Sequence, residues 1–291
     1  MKIILYISYG TGLHEQEALF SLLTARHWTG LDEGGDMRVI ILTDHPDHFA
    51  GLPAMVEYIS TEQWREWAGP SNFNHRRKIL ALRHVLQKYR APTVLLDADT
   101  YIRKHPSELF ARIAPGKTLM HIREARIGEI DTPQGHMLAD FLRRDRFVDQ
   151  AGRELAIPLE TYLWNAGVVG IDPADSGLVD EVLHLTDQFC ARSSLHILEQ
   201  LAFSFLLAQR TKLGEVPDII FHYWPPYLHL PFKDVLPKLV ADTAGLALPQ
   251  RIERFYAARP RPTFVRRVKV VLKRIVQAFG LLPGRSRSNE W

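Results

Sequence analysis

The order of apolar and polar positions predicts alternating strands and helices over the first 110 residues. Continuous apolar runs predict short buried strands at residues 2–9, 38–42, 56–59 and 93–96. Between these runs, apolar residues recur at helical spacing over residues 14–28 and 74–89. Strands that alternate with helices favour crossover connections, so we expect an α/β fold with a Rossmann-like, mostly parallel sheet.

The pattern is less regular in the middle of the chain and becomes regular again after residue 160. The elements predicted there are a strand with two glycines at 163–171, helices at about 176–191 and 195–209, and a strand at 218–221. The following segment, HYWPPYLHLPF at 222–232, is rich in proline and is not expected to form a regular helix. We therefore predict a single domain over residues 1–250 and a separate tail over residues 251–291.

Composition is typical of a globular protein, but the charge is unevenly distributed. The 291 residues are 46% hydrophobic and 24% charged, which excludes a disordered or collagen-like chain. The formal net charge is +3, yet residues 251–291 contain 11 Lys and Arg and only two Asp and Glu. The tail therefore carries +9 and the first 250 residues −6. Such an appendage is typical of proteins that meet nucleic acid or an anionic membrane.

The tail also has an amphipathic pattern. Over residues 264–279, apolar side chains fall on one side of a helical projection and most Arg and Lys on the other. We expect a basic C-terminal amphipathic helix that places residues 261–287 on an anionic membrane surface. The alternative is a helix packed on the domain with a solvated basic face. Nucleic acid is not an expected partner, because no aromatic stacking platform accompanies the charges.

Cysteine content and hydropathy bear on location. The single cysteine, Cys190, excludes an intramolecular disulfide framework and is typical of a reducing compartment. The first residues do not form a signal peptide, and no apolar run approaches the length of a membrane span. We therefore expect a cytoplasmic protein, peripheral at the cytosolic face of a membrane.

Two aspartates follow the apolar run at 93–96. Asp97 and Asp99 stand where a buried strand is predicted to end, and ligands of open α/β sheets bind beyond such carboxyl ends. Alternation along an extended segment would place both side chains on one side, facing one cation. Carboxylate oxygens suit Mg²⁺ or Mn²⁺. The alternative is a pair of solvated acids that cap the next helix.

Basic residues open the helix that precedes this strand. His75, Arg76, Arg77 and Lys78 lie at its predicted N-terminus, where positive charge opposes the helix dipole and does not stabilise the helix. Arg77 and Lys78 are therefore candidates to neutralise a diphosphate. The alternative is a solvated helix face.

Four segments resemble motifs of the GT-A-fold glycosyltransferases, in particular the glycogenin-like enzymes and the bacterial lipooligosaccharide galactosyltransferases. Residues 94–110, VLLDADTYIRKHPSELF, resemble the D-x-D segment of that family. The later segments, in the family's order, are WNAGVVGID at 164–172, LEQLAFSFLL at 198–207 and FHYW at 221–224. There are two departures. His222 is followed by Tyr-Trp-Pro-Pro and not by Gly and a Lys-Pro-Trp run, and the acidic pair before the glutamine is reduced to Glu199 and Gln200.

The resemblance implies a set of site residues. It implies that Asp97, Asp99 and His222 hold Mn²⁺ or Mg²⁺. The basic start of the preceding helix adds Lys78 as a catalytic residue. It implies a sugar and acceptor side lined by Asn165 and Gly167, with Glu199 and Gln200 against the donor sugar. For the nucleotide it implies the ends of the first two strands, where the candidates are Ser8, Tyr9, Thr11 and Asp44. Arg77 and Lys78, at the start of the helix before the D-x-D strand, remain the candidates for its diphosphate. Tyr9 would stack on uracil; the alternative is an ordinary aromatic residue at a strand end.

The function implied is that of a metal-dependent hexosyltransferase. It would move a hexose from a nucleotide-diphosphate sugar, expected to be UDP-linked, to a glycan or lipid-linked saccharide. The alternative is a catalytically silent sugar-nucleotide-binding protein of a membrane-associated assembly complex. A nicotinamide-binding enzyme is disfavoured, because Glu15 stands where the third small residue of a G-x-G-x-x-G fingerprint should be.

Overall fold

The computed structural model describes residues 1–30 and 35–261. The strands are β1 (Lys2–Ser8), β2 (Met37–Thr43), β3 (Met55–Tyr58), β4 (Thr93–Leu96), β5 (Thr100–Ile102), β6 (Lys117–Met120), β7 (Arg123–Arg126), β8 (Phe147–Val148), β9 (Glu154–Leu155), β10 (Tyr162–Trp164), β11 (Val168–Ile171), β12 (Lys212–Glu215) and β13 (Ile220–His222). The α-helices are α1 (Leu13–Thr29), α2 (Thr61–Ala68), α3 (Arg76–Tyr89), α4 (Ser107–Phe110), α5 (Pro133–Arg144), α6 (Gly177–Cys190), α7 (Leu198–Arg210), α8 (Pro226–Thr243) and α9 (Leu248–Ala257).

The expected α/β fold with a mostly parallel sheet is confirmed. Seven strands form the central sheet in the order β12-β6-β11-β4-β1-β2-β3. The pairs among β1, β2, β3 and β4 are parallel, as is β12 with β6, whereas β11 runs antiparallel to both of its neighbours. The carboxyl ends of β1, β2 and β4 therefore lie along one edge of the sheet, where ligands of such folds bind.

Helices cover both faces of this sheet. Along β1, Ile3 and Leu5 belong to one hydrophobic core and Ile4 and Tyr6 to the other, as the two-residue period of a strand requires. The first core includes apolar residues of α3, α6 and α7, and the second those of α1, α8 and α9. Burial on both faces explains why these strands appear as continuous apolar runs and not as alternating patterns.

Two predicted elements differ in the structure. The strand predicted at 163–171 is two short strands, β10 and β11, separated by residues 165–167. The prediction that HYWPPYLHLPF forms no regular helix was wrong for its second half, because α8 begins at Pro226 and includes Pro231 and Pro237. A proline is tolerated at a helix start, and the two internal prolines lie on the exposed face, where water can bond to the carbonyls that they leave unpaired.

The boundary predicted at residue 250 falls inside α9. Ile252 and Phe255 of this helix are buried in the core that includes α1, so the beginning of the predicted tail is part of the folded domain. Apart from Arg261, the predicted membrane-binding segment 261–287 lies outside the described residues. Among the helices that the structure describes, none has the length and hydropathy needed to cross a membrane.

We expect Phe20 of α1 to be a main source of stability. Its fully buried ring contacts those of Tyr223, Phe232 and Phe255, which joins α1 to α8 and α9. Phe20→Ala should lower the free energy of unfolding by about 3–5 kcal/mol in chemical denaturation, because it leaves a cavity. Leu230→Ala is the control: this side chain is exposed on α8, and its loss should change stability by less than about 0.5 kcal/mol. A loss below about 1 kcal/mol for Phe20→Ala would contradict this role.

Candidate metal centre

Strand pairing brings three separate segments together at the end of β4. β11 pairs with β4 so that Val168 lies opposite Leu96, and the Asp97 N–H donates to the carbonyl of Gly167 at 2.9 Å. On the other side, β13 pairs with β5, which starts just after the two aspartates. The Tyr223 N–H donates to the carbonyl of Asp99 at 3.0 Å. Residues before β11, after β4 and at the end of β13 therefore meet at one place.

Asp97, Asp99 and His222 form the candidate metal cluster. One potential ligand atom from each residue lies within 4.8 Å of the others. The sequence pattern predicted that the two aspartates share one side of an extended strand. In the structure they converge through a turn formed by Ala98 and Asp99. The Thr100 hydroxyl stabilises this turn by donating to the Asp97 carbonyl at 2.7 Å.

Hydrogen bonds define which ring nitrogen of His222 is available to a metal. The Oδ1 atom of Asn165 accepts the backbone N–H of Gly167 at 3.0 Å, which orients its amide group. The same Oδ1 lies 2.8 Å from Nδ1 of His222, so Nδ1 must carry a proton and donate it. Nε2 faces Asp99 at 3.0 Å and is the nitrogen that a metal would bind when the ring is neutral.

Asp99 and His222 shift each other's pKa in this structure. Burial alone would lower the pKa of His222, but the negative charge and hydrogen bond of Asp99 raise it above its ordinary value. Burial would raise the pKa of Asp99, but the His222 imidazolium holds it below its usual range. Without a metal the two groups therefore form an ion pair.

The backbone at residue 167 has no room for a side chain. A β-carbon there would overlap Nδ1 and Cε1 of His222 and would lie 3.0 Å from Oδ1 of Asn165. Gly167 therefore acts by its small size, which lets the imidazole ring lie against the backbone and reach Asn165.

Lys78 does not face solvent as a free diphosphate ligand would. Its ammonium group is buried and lies 2.7 Å from one carboxylate oxygen of Asp97 and 3.6 Å from Glu199. It also donates to the Ala166 carbonyl at 3.0 Å. Burial alone would lower the pKa of Lys78, but the charges of Asp97 and Glu199 raise it. Lys78 therefore stays charged and holds these two carboxylates; its direct contact with a diphosphate remains a prediction.

The site has an excess of negative charge. Glu199 is 3% exposed, and among the described residues its Oε2 atom has no hydrogen-bond partner. With Asp97 and Asp99 it places three carboxylates around the single ammonium of Lys78. When His222 is neutral, two negative charges remain, the number that a divalent cation would neutralise.

The donor atoms therefore fit a divalent metal ion. Two carboxylates suit Mg²⁺ or Mn²⁺, and an imidazole nitrogen suits a transition ion such as Mn²⁺ better than Mg²⁺, which prefers oxygen. Metal-binding histidines usually donate their second ring N–H to a neighbouring group, and in His222 this group is the amide oxygen of Asn165.

Glu124 is a site residue that the sequence did not reveal. It lies on β7, and its carboxylate accepts hydrogen bonds from the amide groups of Asn165 at 3.2 Å and Gln200 at 2.9 Å. Desolvation by the surrounding protein raises the pKa of Glu124, although these two hydrogen bonds act in the opposite direction. Neither its neighbours in sequence nor its spacing indicates this role, because its partners come from the residue after β10 and from α7.

Four of the residues predicted to bind the nucleotide, Ser8, Tyr9, Thr11 and Asp44, lie at or just after the ends of β1 and β2. Ser8 is 2% exposed, and its hydroxyl has no partner within the described part of the chain, whereas Thr11 is exposed. The carboxylate of Asp44 accepts the Gly10 N–H at 2.9 Å and so ties the two strand ends together. Gly10 and Gly12 have φ values of 70° and 107°, a conformation that favours glycine.

Tyr9 and Arg77 form a cluster with Trp64 of α2. The Tyr9 and Trp64 rings are 5.3 Å apart, and the Arg77 guanidinium lies 4.4 Å from the centre of the Tyr9 ring. Arg77 also donates to the Trp64 carbonyl at 2.8 Å and to the side chain of Asn74 at 2.9 Å. These contacts hold Arg77 to protein groups, so its role toward a diphosphate, like the stacking of Tyr9 on a base, remains a prediction.

Comparison with protein-family models and with curated protein sequences finds no match for this chain.

We expect Asp99→Ala to abolish most of the Mn²⁺ binding of the protein, because it removes one of three ligands. The loss of affinity is measured by titration with Mn²⁺ and electron paramagnetic resonance. It should exceed the 10–100-fold loss that is typical when a residue that hydrogen-bonds to a metal ligand is removed. Asp140→Ala removes an exposed aspartate of α5 and should leave the affinity unchanged. Equal binding by the two variants would contradict the assignment of the cluster.

Gly167→Ala should weaken Mn²⁺ binding about 10–100-fold without removing any ligand, because the new β-carbon displaces the His222 ring from Asn165. The matched control is Gly177→Ala at the start of α6, where a β-carbon has no heavy atom of the described residues within 4 Å. The same titration compares the two alanine variants. Wild-type affinity in Gly167→Ala would show that the position of the imidazole ring does not matter.

Proposed function

We propose that this protein is a metal-dependent glycosyltransferase of the GT-A fold class. It would transfer a hexose from a nucleotide-diphosphate sugar, expected to be UDP-linked, to a hydroxyl acceptor. The observation that carries the proposal is the cluster of Asp97, Asp99 and His222 at the carboxyl end of β4, with Asn165 oriented against it. When His222 is neutral, two negative charges remain uncompensated there, which favours a divalent cation; a bound cation can in turn attract a diphosphate.

The proposed reaction breaks the bond between the anomeric carbon and the diphosphate oxygen, and the electron pair leaves on the diphosphate. The acceptor oxygen forms the new bond to that carbon, and its proton is released to water. A bound Mn²⁺ or Mg²⁺ would supply Lewis-acid stabilisation of the leaving group. Asp97, Asp99 and His222 would hold the ion, and Lys78 keeps Asp97 and Glu199 in position.

The nucleotide would lie along the carboxyl ends of β1 and β2. This location follows from the parallel pairing of β4, β1 and β2, which places the predicted nucleotide residues on the same edge of the sheet as the metal cluster. In the cluster of Tyr9, Trp64 and Arg77, the partly exposed Tyr9 ring would offer aromatic surface there for a base, while the buried Trp64 supports it from behind. Asp44 already binds the Gly10 N–H, so it would act on the nucleotide mainly by shaping this turn.

The acceptor and the cellular location rest on sequence alone. The resemblance suggests a glycan or lipid-linked saccharide, and the basic pattern of residues 261–287 suggests an anionic membrane face. The second candidate function, a catalytically silent sugar-nucleotide-binding protein, uses the same cluster but predicts binding without turnover.

Slow donor hydrolysis distinguishes the two candidates. The full chain is incubated with UDP-glucose, UDP-galactose and other nucleotide sugars in the presence of Mn²⁺, and release of free UDP is measured. We expect hydrolysis with at least one donor, abolished by Asp99→Ala and retained in the exposed-site control Asp140→Ala. Donor binding without hydrolysis would support the silent protein, and unchanged turnover in Asp99→Ala would refute the metal-dependent mechanism.

A further inference from the structure

A small pocket, here called the side pocket, lies next to the metal cluster between β7, β10 and the first turns of α5 and α7. Its volume is about 140 Å³. Most of its exposed lining is apolar and comes from Ala125, Ile130, Leu163 and Ile197. Five polar residues and one glycine complete the lining: Glu124, Thr132, Gln134, His196, Gln200 and Gly135. An apolar cavity of about 150 Å³ holds one benzene ring. The side pocket is therefore the size of a single six-membered ring.

Hydrogen bonds connect the side pocket to the metal cluster. Asp99 bonds Nε2 of His222, whose Nδ1 bonds Asn165. The amide of Asn165 donates in turn to Glu124, which also accepts from Gln200 at the edge of the pocket. Each side chain in this series is hydrogen-bonded to the next, so Glu124 is connected to the metal cluster through Asn165 and His222.

Glu124 retains the capacity to bind a ligand. Each of its carboxylate oxygens accepts one hydrogen bond from an amide, whereas a carboxylate has about four acceptor positions. The residue is exposed to solvent and is also part of the pocket lining. A hydroxyl group that enters the pocket would therefore find a free acceptor on a carboxylate that Asn165 and Gln200 already hold in place.

We propose that the side pocket binds an apolar alcohol, with a single six-membered ring against the apolar walls and the hydroxyl group donating to Glu124. The inference rests on the proposed glycosyl transfer and names an acceptor class for it that differs from the glycan or lipid-linked saccharide suggested by the sequence resemblance. A saccharide ring of the same size fits less well, because most of the lining surface is apolar and those of its hydroxyl groups that face Ile130, Leu163 and Ile197 would have no hydrogen-bond partners there. Glu124 thus orients the acceptor hydroxyl at the edge of the pocket that Asn165 and His222 connect to the metal cluster.

Ligand-observed NMR on the full chain tests the pocket without any nucleotide sugar. The probes are benzyl alcohol, toluene as the same ring without a hydroxyl group, and methyl β-glucoside as a polar ring. We expect benzyl alcohol to bind more tightly than either of the other two. Ala125→Phe fills the pocket and should weaken benzyl alcohol binding at least tenfold, while Ala151→Phe, on the exposed turn between β8 and β9, should leave it unchanged.

Glu124→Gln is a second variant of nearly the same shape, in case a phenylalanine disturbs β7. It should reduce the preference for benzyl alcohol over toluene, because the hydroxyl group loses a charged acceptor and finds only the weaker neutral oxygen of an amide. Equal benzyl alcohol binding by wild type and a folded Ala125→Phe variant, or a preference for methyl β-glucoside, would overturn the proposal. So would an unchanged preference in Glu124→Gln.

Donor hydrolysis, measured on the same preparations, separates this inference from the proposed function. Hydrolysis by a wild-type protein that does not bind benzyl alcohol would refute the side pocket alone. Benzyl alcohol binding in a protein that neither binds Mn²⁺ nor hydrolyses any donor would refute glycosyl transfer, and with it the acceptor role of the pocket. If both activities are present, wild type and Ala151→Phe should glycosylate benzyl alcohol, and Ala125→Phe should do so at least tenfold more slowly.

Discussion

The antiparallel pairing of β11 with β4 is the constraint on which the candidate site depends. In a fully parallel sheet, the residues that precede a strand lie at the opposite edge from those that follow its neighbour. Because β11 runs the other way, Asn165 and Gly167 at its beginning meet Asp97 at the end of β4. This reversal brings an amide and a narrow glycine backbone to the place where His222 arrives from β13.

Two positively charged side chains explain how the carboxylates of Asp97, Asp99 and Glu199 can lie close together when no metal ion is bound. Lys78 is shared between Asp97 and Glu199, and the His222 imidazolium pairs with Asp99. A buried charge is costly unless it is paired, so these contacts stabilise the site in the absence of metal. A bound divalent cation would take over the role of the imidazolium charge, and His222 would then be neutral, while Lys78 keeps its two partners.

Sequence patterns predicted the elements that are buried on both faces or strongly periodic, such as β1, β2, β4 and α3, to within a few residues. These patterns gave wrong predictions where the conformation of a residue depends on its surroundings in the fold. Proline disfavours a helix interior, but Pro231 and Pro237 lie on the solvent side of α8, where the lost backbone hydrogen bonds can be replaced by water. Asp97 and Asp99 converge through a turn, which a two-residue period cannot indicate.

The sequence by itself determined the fold class and the location of the two aspartates at a strand end, because both depend on short-range order: apolar runs, helical periodicity and the residue that follows a run. Only the tertiary structure decided that Lys78 faces Asp97 and Glu199 and not solvent, and that Glu124 joins Asn165 and Gln200 beside a pocket. These contacts join residues that are between 19 and 121 positions apart. They arise from the order and direction of strands in the sheet, which no local pattern encodes.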